Sequence, residues 1–457
     1  MVTLGQRQRP VRARRRTRAV RWSIAALATS LGLVLGPGQA SAQASPGDLD
    51  PTFGTGGKVA TDFVGGHDQA RALVVQADGR LVAAGIAVTG EATNLDFALA
   101  RYHPDGTLDP TFGNGGEVTT DFGGFPPADE AHALVQQADG KLVVAGGVFR
   151  SGGDSDNDFA LARYQPEGTP DPTFGNGGIV LTDFADGEEA RELALQADGK
   201  LVAAGVAFTF GAGQMFGLAR YNPDGSLDPS FGNGGTVTTA FGSGTVQLSG
   251  LAVQADGKLV AAGTVLVGST LDFALVRYQP DGTLDQTFGK GGRVITQITR
   301  SDDDAQALAL QADGKLVLAG SANVGGHFDF ALARYRPNGA LDRTFGKAGK
   351  VTTDFTGPDN SDAANALALQ ADGKLVAAGV AFTGGVGEDF ALARYQRDGS
   401  LDPSFGTGGR VTTDFTGSTP FESVNALAVQ ADGNLVAAGV VEAGELSDFA
   451  LARYAAR

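Results

Sequence analysis

Residues 366–379 and 389–406 read A-L-A-L-Q-A-D-G-K-L-V-A-A-G and D-F-A-L-A-R-Y-Q-R-D-G-S-L-D-P-S-F-G. The first stretch holds Asp-Gly between two apolar runs, which predicts a tight hairpin because glycine accepts positive φ at little cost. In the first copy of the second stretch, Phe97, Leu99 and Arg101 alternate with small residues, the period of a β-strand. Both stretches therefore predict antiparallel strands.

The two phrases belong to a repeat of 57–62 residues that occurs seven times. The copies also share L-D-x-x-F-G and G-G-x-V-x-T-x-F with single departures, and the run corresponding to D-F-A-L-A-R-Y always ends in a tyrosine. The copies begin near residues 50, 109, 171, 228, 285, 342 and 402. All seven tyrosines of the chain are these closing residues: Tyr102, Tyr164, Tyr221, Tyr278, Tyr335, Tyr395 and Tyr454.

Each copy contains four strand-like runs, which in the first copy are Ala72–Gln76, Leu81–Ala84, Phe97–Tyr102 and Glu117–Phe122. Four short strands repeated seven times predict an all-β fold, a seven-bladed β-propeller of four-stranded antiparallel blades. A β-helix is the alternative, but its coils are usually nearer twenty residues in length. No stretch has a helical apolar period.

The two ends of the repeated region are complementary. Residues Lys58–Phe63 match the fourth run of a copy, whereas the last copy stops after its third run, Phe449–Tyr454. We predict that these two segments pair and close the ring, which would remove an unpaired sheet edge.

The N-terminal 42 residues are predicted to be a signal peptide and residues 43–457 the propeller. A basic start is followed by an apolar run of about fourteen residues, too short to span a membrane, and by A-S-A at residues 40–42. We place cleavage near Ala42, with Ala44 as the second choice. Arg15-Arg16 suggests twin-arginine export, but Arg18 stands where that signal has an apolar residue, which favours the general secretory route. The protein is expected to be secreted or periplasmic.

Composition excludes several classes of partner. Removing residues 1–42 leaves 27 basic residues against 51 acids, a net charge of −24. Such an acid excess argues against nucleic acid and against anionic membrane surfaces. With no cysteine there is no disulfide framework. We expect a monomer without a cofactor, apart from a calcium ion considered below.

Residues 366–379 and 389–406, with their copies, resemble the delta-60 repeat family of bacterial propeller-type proteins. The resemblance covers residues 50–454 and implies a secreted or surface-exposed propeller. That family has no assigned activity, so the resemblance implies no site residue. Three positions depart from the pattern, where Met215, Ala240 and Gln297 replace acids.

One arginine and one aspartate recur in every copy. A ring of guanidiniums could bind an anion, but a function rarely needs seven equal copies, whereas a scaffold does. We therefore predict structural ion pairs within or between blades. The arginines are Arg101, Arg163, Arg220, Arg277, Arg334, Arg394 and Arg453. The aspartates are Asp50, Asp109, Asp171, Asp228, Asp285, Asp342 and Asp402, and Arg453 is expected to meet Asp50.

Two loops differ in every copy, one after T-x-F and one after V-A-A-G, and both leave the same end of the sheet. Function usually lies on loops held by a rigid scaffold, so we expect the ligand site on this face. The candidate ligand-binding residues in these loops are Phe125, Phe149, Phe208, Phe210, Asp302, Asp303 and Asp359.

Asp154, Asp156 and Asp158 have the D-x-D-x-D spacing that can present oxygens to calcium. The glycine and the bidentate acid that complete a calcium loop are absent, since Phe159 and Gln165 occupy those places. A solvated acidic loop is the preferred interpretation, with calcium as the alternative.

Catalysis has little support in the sequence, which has four scattered histidines and no G-x-S-x-G motif. The first hypothesis is an extracellular binding scaffold that engages a protein or cell-surface partner through the variable loops. The alternative is a secreted hydrolase or lyase that uses acids near the central opening, with or without calcium. Several acids converging there with an arginine or a histidine would favour the enzyme, whereas a flat or apolar rim would favour the partner.

Overall fold

The computed structural model describes residues 44–456, except 64, 90–94, 124–127, 151–155, 243, 358–359, 384–386, 418–420 and 445. These residues form seven four-stranded antiparallel sheets, which confirms the predicted seven-bladed β-propeller. Within the described part of the chain, no helix is long and apolar enough to cross a membrane.

Each blade has an inner, a second, a third and an outer strand. The inner strands are β2 (Gln69–Val75), β6 (Asp129–Gln136), β10 (Glu188–Leu195), β14 (Val246–Val253), β18 (Asp303–Leu310), β22 (Asp362–Leu369) and β26 (Glu422–Val429). The second strands are β3 (Leu81–Val88), β7 (Leu142–Arg150), β11 (Leu201–Thr209), β15 (Leu259–Val267), β19 (Leu316–Val324), β23 (Leu375–Phe382) and β27 (Leu435–Ala443). The third strands are β4 (Leu95–Tyr102), β8 (Asp156–Tyr164), β12 (Gly213–Tyr221), β16 (Thr270–Tyr278), β20 (His327–Tyr335), β24 (Glu388–Tyr395) and β28 (Leu446–Tyr454). The outer strands are β5 (Glu117–Thr120), β9 (Ile179–Thr182), β13 (Thr236–Thr239), β17 (Arg293–Thr296), β21 (Lys350–Thr353), β25 (Arg410–Thr413) and β1 (Lys58–Thr61).

The inner strands surround a central axis. Each inner strand contacts the inner strand of the next blade, and β26 of blade 7 contacts β2 of blade 1. Strand β1 is the outer strand of blade 7 and pairs antiparallel with β28, from Lys58 opposite Ala452 to Thr61 opposite Phe449. The strands differ from the sequence prediction in extent: β2 starts at Gln69 rather than Ala72, and β3 continues to Val88.

Every inner strand contains a β-bulge at the same place. The pairing of β2 with β3 skips one residue between Ala70 and Ala72, so Arg71 is the extra residue. The glycine of V-A-A-G lies opposite, and a Cβ on Gly85 would stand 1.9 Å from the carbonyl oxygen of Gln69. Only glycine tolerates this approach, and bulges commonly redirect a side chain. The repeated V-A-A-G is therefore the sequence signal for the bulge.

The hydrophobic core lies between neighbouring blades rather than within one. Between blades 1 and 2, for example, Val82 and Phe97 of the first pack with Leu142 and Tyr164 of the second. The tyrosine hydroxyl also bonds back across the junction, as in the 2.9 Å contact from Tyr102 to Thr61. The A-D-G turns leave one end of the sheets, which we call the repeated face. The loops that differ leave the other end, which we call the variable face.

Candidate functional site

The recurring arginines and aspartates lie side by side at the repeated face. In the first six pairs the arginine Nε lies 2.8–3.0 Å from an aspartate oxygen, and in the last pair Nη2 of Arg453 lies 2.9 Å from Asp50. The lysine of A-D-G-K joins several pairs, as where Lys141 Nζ lies 3.2 Å from Asp171. Each L-D aspartate except Asp50 is buried.

Each of these arginines also connects two repeats. The Arg163 guanidinium lies 4.4 Å from the centre of the Phe174 ring and donates a 2.5 Å hydrogen bond to the carbonyl oxygen of Pro223 in the next copy. Arg394 does the same with Phe405 and with the carbonyl oxygen of Ala456. Because each guanidinium contacts groups of two repeats, this arrangement has the geometry of a scaffold.

On the variable face, Phe149 of β7 and Phe208 of β11 line one cavity of about 350 Å³, together with Asp186 and Glu189. Phe210 packs edge-on against Phe208 at 5.3 Å between ring centres and is 80% exposed. We call this cavity the rim pocket.

Asp302 and Asp303 do not line the rim pocket and instead accept backbone hydrogen bonds. Asp303 is buried and accepts hydrogen bonds from the backbone N–H groups of Ile298 and Thr299, so it caps a loop, while Asp302 accepts one from Leu271. Asp156 and Asp158 belong to strand β8, where the sequence interpretation has a loop. The remaining candidates, Phe125, Asp154 and Asp359, lie outside the described residues.

The seven bulge residues meet at the axis, where they line one cavity of about 470 Å³. We call it the axial pocket. Its bulge residues are all polar and differ from blade to blade: Arg71, His132, Arg191, Ser249, Gln306, Asn365 and Asn425.

Part of this polarity is structural. Ser249, Asn365 and Asn425 each donate a hydrogen bond, at 2.5–3.0 Å, to the carbonyl oxygen that precedes the bulge of the next blade. A neutral donor is sufficient for that contact. That bond does not require the charged residues found in blades 1 to 3, so we place the candidate site on their side of the axis.

Blades 1 to 3 carry a chain of ionic contacts. Arg71 Nη1 lies 2.6 Å from Glu130 and 3.1 Å from Nδ1 of His132. His132 Nε2 lies 2.5 Å from Glu189, which also accepts a 2.9 Å bond from Arg191. These four contacts connect residues of three consecutive inner strands.

Burial would raise the pKa of Glu189, but hydrogen bonds from His132 and Arg191, together with the Arg191 charge, outweigh it and lower that pKa to about 2. Burial lowers the pKa of His132, the bond to Glu189 opposes this, and the neighbouring Arg71 and Arg191 lower it further. At neutral pH we therefore take the imidazole as neutral, with Nε2–H donating to ionised Glu189.

Glu192 is the exception to the repeat. The other six blades have alanine or glycine at this position: Ala72, Ala133, Gly250, Ala307, Ala366 and Ala426. The Glu192 carboxylate lines the axial pocket and forms no hydrogen bond or ion pair with any described residue. Burial raises its pKa to about 7. An unpaired carboxyl with such a pKa in a cavity is a candidate for binding or proton transfer.

Gly147 provides the space for Glu189. The equivalent residue in the other second strands has a side chain, as in Ile86 and Val206, but a Cβ on Gly147 would stand 2.7 Å from Cγ of Glu189. The backbone of Gly147 is not in the left-handed region. The glycine therefore serves the packing of Glu189 rather than a turn.

A larger cavity of about 1080 Å³ opens at the repeated face between blades 2, 3 and 4. Its lining consists of A-D-G turn residues that recur in every copy, such as Gln137, Gln196 and Gln254. Since nothing distinguishes these residues from their counterparts, we place the candidate site in the axial pocket despite its smaller volume.

Sequence reasoning missed the axial pocket. The signal was present at the second position of A-x-A-L and its variants, where x is always polar and takes five different identities among seven copies. The glutamate in A-R-E-L, residues 190–193, was a second signal.

Six segments of the chain match the sequence profile of a β-propeller family described as a domain of unknown function (DUF5122). The matched residues are 76–112, 137–174, 196–231, 254–288, 311–345 and 370–405. These segments are therefore similar to the β-propeller repeats of a family of unknown function. Each matched segment runs from the end of an inner strand to the F-G of the next copy. A comparison with curated proteins found no match.

Several solved structures are similar to this propeller. Drosophila Semaphorin 2a has 8% identity over 90% of this chain and 76% of its own, with a TM-score of 0.48. Polysaccharide lyase Uly1 has 10% identity over 87% and 91%, with a TM-score of 0.47. Virginiamycin B lyase from Staphylococcus aureus has 10% identity over 86% and 98%, with a TM-score of 0.42. At these identities and TM-scores, none of them bears on the ligand or chemistry of this chain.

Proposed function

We propose that this protein is an extracellular binding protein whose axial pocket takes a small polar ligand with one cationic group. The observation that carries the proposal is Glu192, a carboxylate without an ionic partner in a pocket where both arginines already have one. The expected signal peptide and the resemblance to delta-60 repeats support a location outside the cytoplasm.

The charges of the pocket indicate the cation. The charges of Arg71 and Arg191 are balanced by Glu130 and Glu189, so the unbalanced charge of the pocket is that of Glu192. Leaving the Glu192 carboxylate ionised and unpaired costs free energy, which a ligand ammonium would recover. Across the axis, amide and hydroxyl groups offer donors and acceptors for neutral polar groups of the same ligand.

The rim pocket extends the site. Glu189 lines the rim pocket and also bonds to His132 and Arg191 of the axial pocket, so it separates the two cavities. A longer ligand could place its polar end at the axis and a ring or apolar part against Phe149 and Phe208. Residues of the variable face would then contribute to the specificity for this ligand, in addition to any contact that they make with a protein or cell-surface partner.

A second candidate is a hydrolase or lyase, favoured by the convergence of acids with arginine and histidine at the central opening. A pKa near 7 suits Glu192 to act as general acid or base, because it can lose and regain a proton at working pH. Arg71 and His132 lie at the same pocket and could stabilise negative charge that develops on a substrate.

Thermal melting with a panel of small compounds tests the binding proposal. The panel contains hexosamines and polyamines as cations, neutral hexoses, and uronic acids as anions. We expect one or more cations to raise the melting temperature of the wild type, and we expect Glu192→Ala to abolish that shift. The matched control Glu167→Ala removes an exposed glutamate of the repeated face and should leave the shift unchanged.

Shifts with uronic acids alone, or cation shifts that survive Glu192→Ala, would contradict the proposal. Glu192→Gln separates the two candidates for any compound that binds. The amide keeps the shape and loses the proton transfer, so an enzyme would retain binding and lose turnover. A protein that only binds would lose affinity in Glu192→Gln, and neither the wild type nor the variant would show turnover.

A further inference from the structure

Acidic residues also meet at the junctions between blades, on the variable face and outside the axial pocket. At the junction of blades 1 and 2, Asp96 of β4, Asp121 after β5 and Asp129 of β6 bring carboxylate oxygens within 4.8 Å of one another. At the junction of blades 7 and 1, Asp448, Asp62 and Asp68 are arranged in the same way. We call these two groups the junction triads.

Each triad contains a fully buried carboxylate with an unused oxygen. Asp129 is 0% exposed, and its Oδ2 accepts a 2.7 Å bond from the backbone N–H of Phe122. Its Oδ1 is buried and accepts no hydrogen bond. Asp68 is equally buried, Oδ2 accepts from Phe63, and Oδ1 has no hydrogen bond of normal geometry. A buried acceptor without a donor is costly and indicates a missing partner.

No lysine or arginine supplies that partner among the described residues, because neither triad takes part in any ion pair. A further acid, Glu117, lies close enough to the second triad to be affected by its charge. Burial and then repulsion from Asp68 and Asp62 raise the pKa of Glu117. The partner must therefore be a cation from solution or a proton.

The junction of blades 3 and 4 distinguishes these two possibilities. All three acids are absent there together, replaced by Met215, Ala240 and Val246. At the junction of blades 4 and 5 only one acid is replaced, by Gln297, whose amide oxygen can still serve as a ligand. Protonated carboxyls that act independently would leave no reason for the joint replacement at blades 3 and 4. Ligands of one ion lose their purpose together, and apolar residues can then fill the space of the buried pair.

We propose that each junction triad binds one divalent cation, calcium by the chemistry of its ligands. Carboxylate oxygens are the hard donors that calcium prefers, and its variable coordination number lets backbone carbonyls or water complete the shell. The ion joins the third strand of one blade to the inner strand of the next. It therefore fastens neighbouring blades at the face where the loops diverge.

Calorimetric titration of the chelator-treated full chain with calcium chloride at pH 7.5 tests the proposal. Asp129→Asn keeps an oxygen for the Phe122 N–H and removes one charged ligand, so we expect it to lose one equivalent of bound calcium. We expect Asp68→Asn to lose one equivalent as well, and the double variant to lose two. The control Asp139→Asn removes an exposed acid of the repeated face and should bind as the wild type does.

A triple variant copies the apolar junction of blades 3 and 4 onto blades 1 and 2: Asp96→Met, Asp121→Ala and Asp129→Val. We expect it to fold without calcium and to lose one equivalent. The proposal is wrong if the wild type shows no binding at 10 mM calcium, or if Asp129→Asn and Asp68→Asn bind with unchanged stoichiometry. The single variants decide the question even where the triple variant fails to fold.

Discussion

Replacing Glu192 with alanine should make the propeller more stable at pH 8 and leave its stability unchanged at pH 4. The pKa of Glu192 is raised from 4.5 to about 7, and burial is the cause. One pKa unit corresponds to about 1.4 kcal/mol, so the ionised carboxylate costs roughly 3 kcal/mol in the folded state. Because the side chain is partly exposed, solvent screening reduces our expected gain to about 2 kcal/mol.

The sign follows from the direction of the shift. Because the Glu192 pKa is higher in the folded state, the wild type loses stability as pH rises from 4.5 to about 7. Below that range the carboxyl is protonated in both the folded and unfolded states, so the wild type and the alanine variant are expected to be equally stable. Urea unfolding followed by circular dichroism, at pH 4 and pH 8, measures the difference. Glu167→Ala provides the control, with no pH-dependent change expected.

The reasoning would be refuted if Glu192→Ala were less stable than the wild type at pH 8, or if the difference between the two proteins were the same at both pH values. A gain at pH 8 combined with loss of ligand binding would identify Glu192 as a residue kept for function at a cost in stability, since six blades have a small residue there.

Three further predictions concern packing and the scaffold. Gly147→Val should displace Glu189 and break its bond to His132, which opposes the lowering of the His132 pKa, so we expect NMR titration to give a lower pKa for the variant. An unchanged His132 titration would contradict this packing role. Gly146 is not a suitable control, because a Cβ there would lie 1.9 Å from the carbonyl oxygen of Glu130. Arg394→Ala removes the positive charge beside the buried Asp402 carboxylate and should lower the free energy of unfolding, measured in urea, by about 3 kcal/mol. A loss below about 1 kcal/mol would contradict the scaffold role. Gly320→Ala places a Cβ 1.9 Å from the carbonyl oxygen of Asp304 and should cost about 3 kcal/mol, measured in the same way, whereas an unchanged midpoint would exclude the bulge argument.

The propeller could be predicted from the sequence because its signals are local and repeated. Asp78-Gly79 between apolar runs predicts a hairpin, and strands β2 and β3 meet there in the structure. The boundaries were less accurate. Phe149 and Phe208 lie at the ends of β7 and β11 rather than in loops, because these strands extend beyond V-A-A-G.

The axial pocket was not predicted because its contacts join equivalent positions of different copies. His132 and Glu189 lie 2.5 Å apart in space but belong to different repeats. A search for motifs within one repeat finds neither, since a lone histidine and a lone glutamate have no characteristic spacing. The junction triads have the same character, because Asp129 meets Asp96 only when blades 1 and 2 pack.

The pairing of β1 with β28 has a consequence for how the molecule is made. Lys58 is synthesised long before its partner Ala452. Contacts between such distant positions form late, because loop closure must first be overcome. Until then blade 7 stays incomplete, and proteolytic cleavage within β28 would return the molecule to that state, with two unpaired strands available to neighbouring copies of the chain.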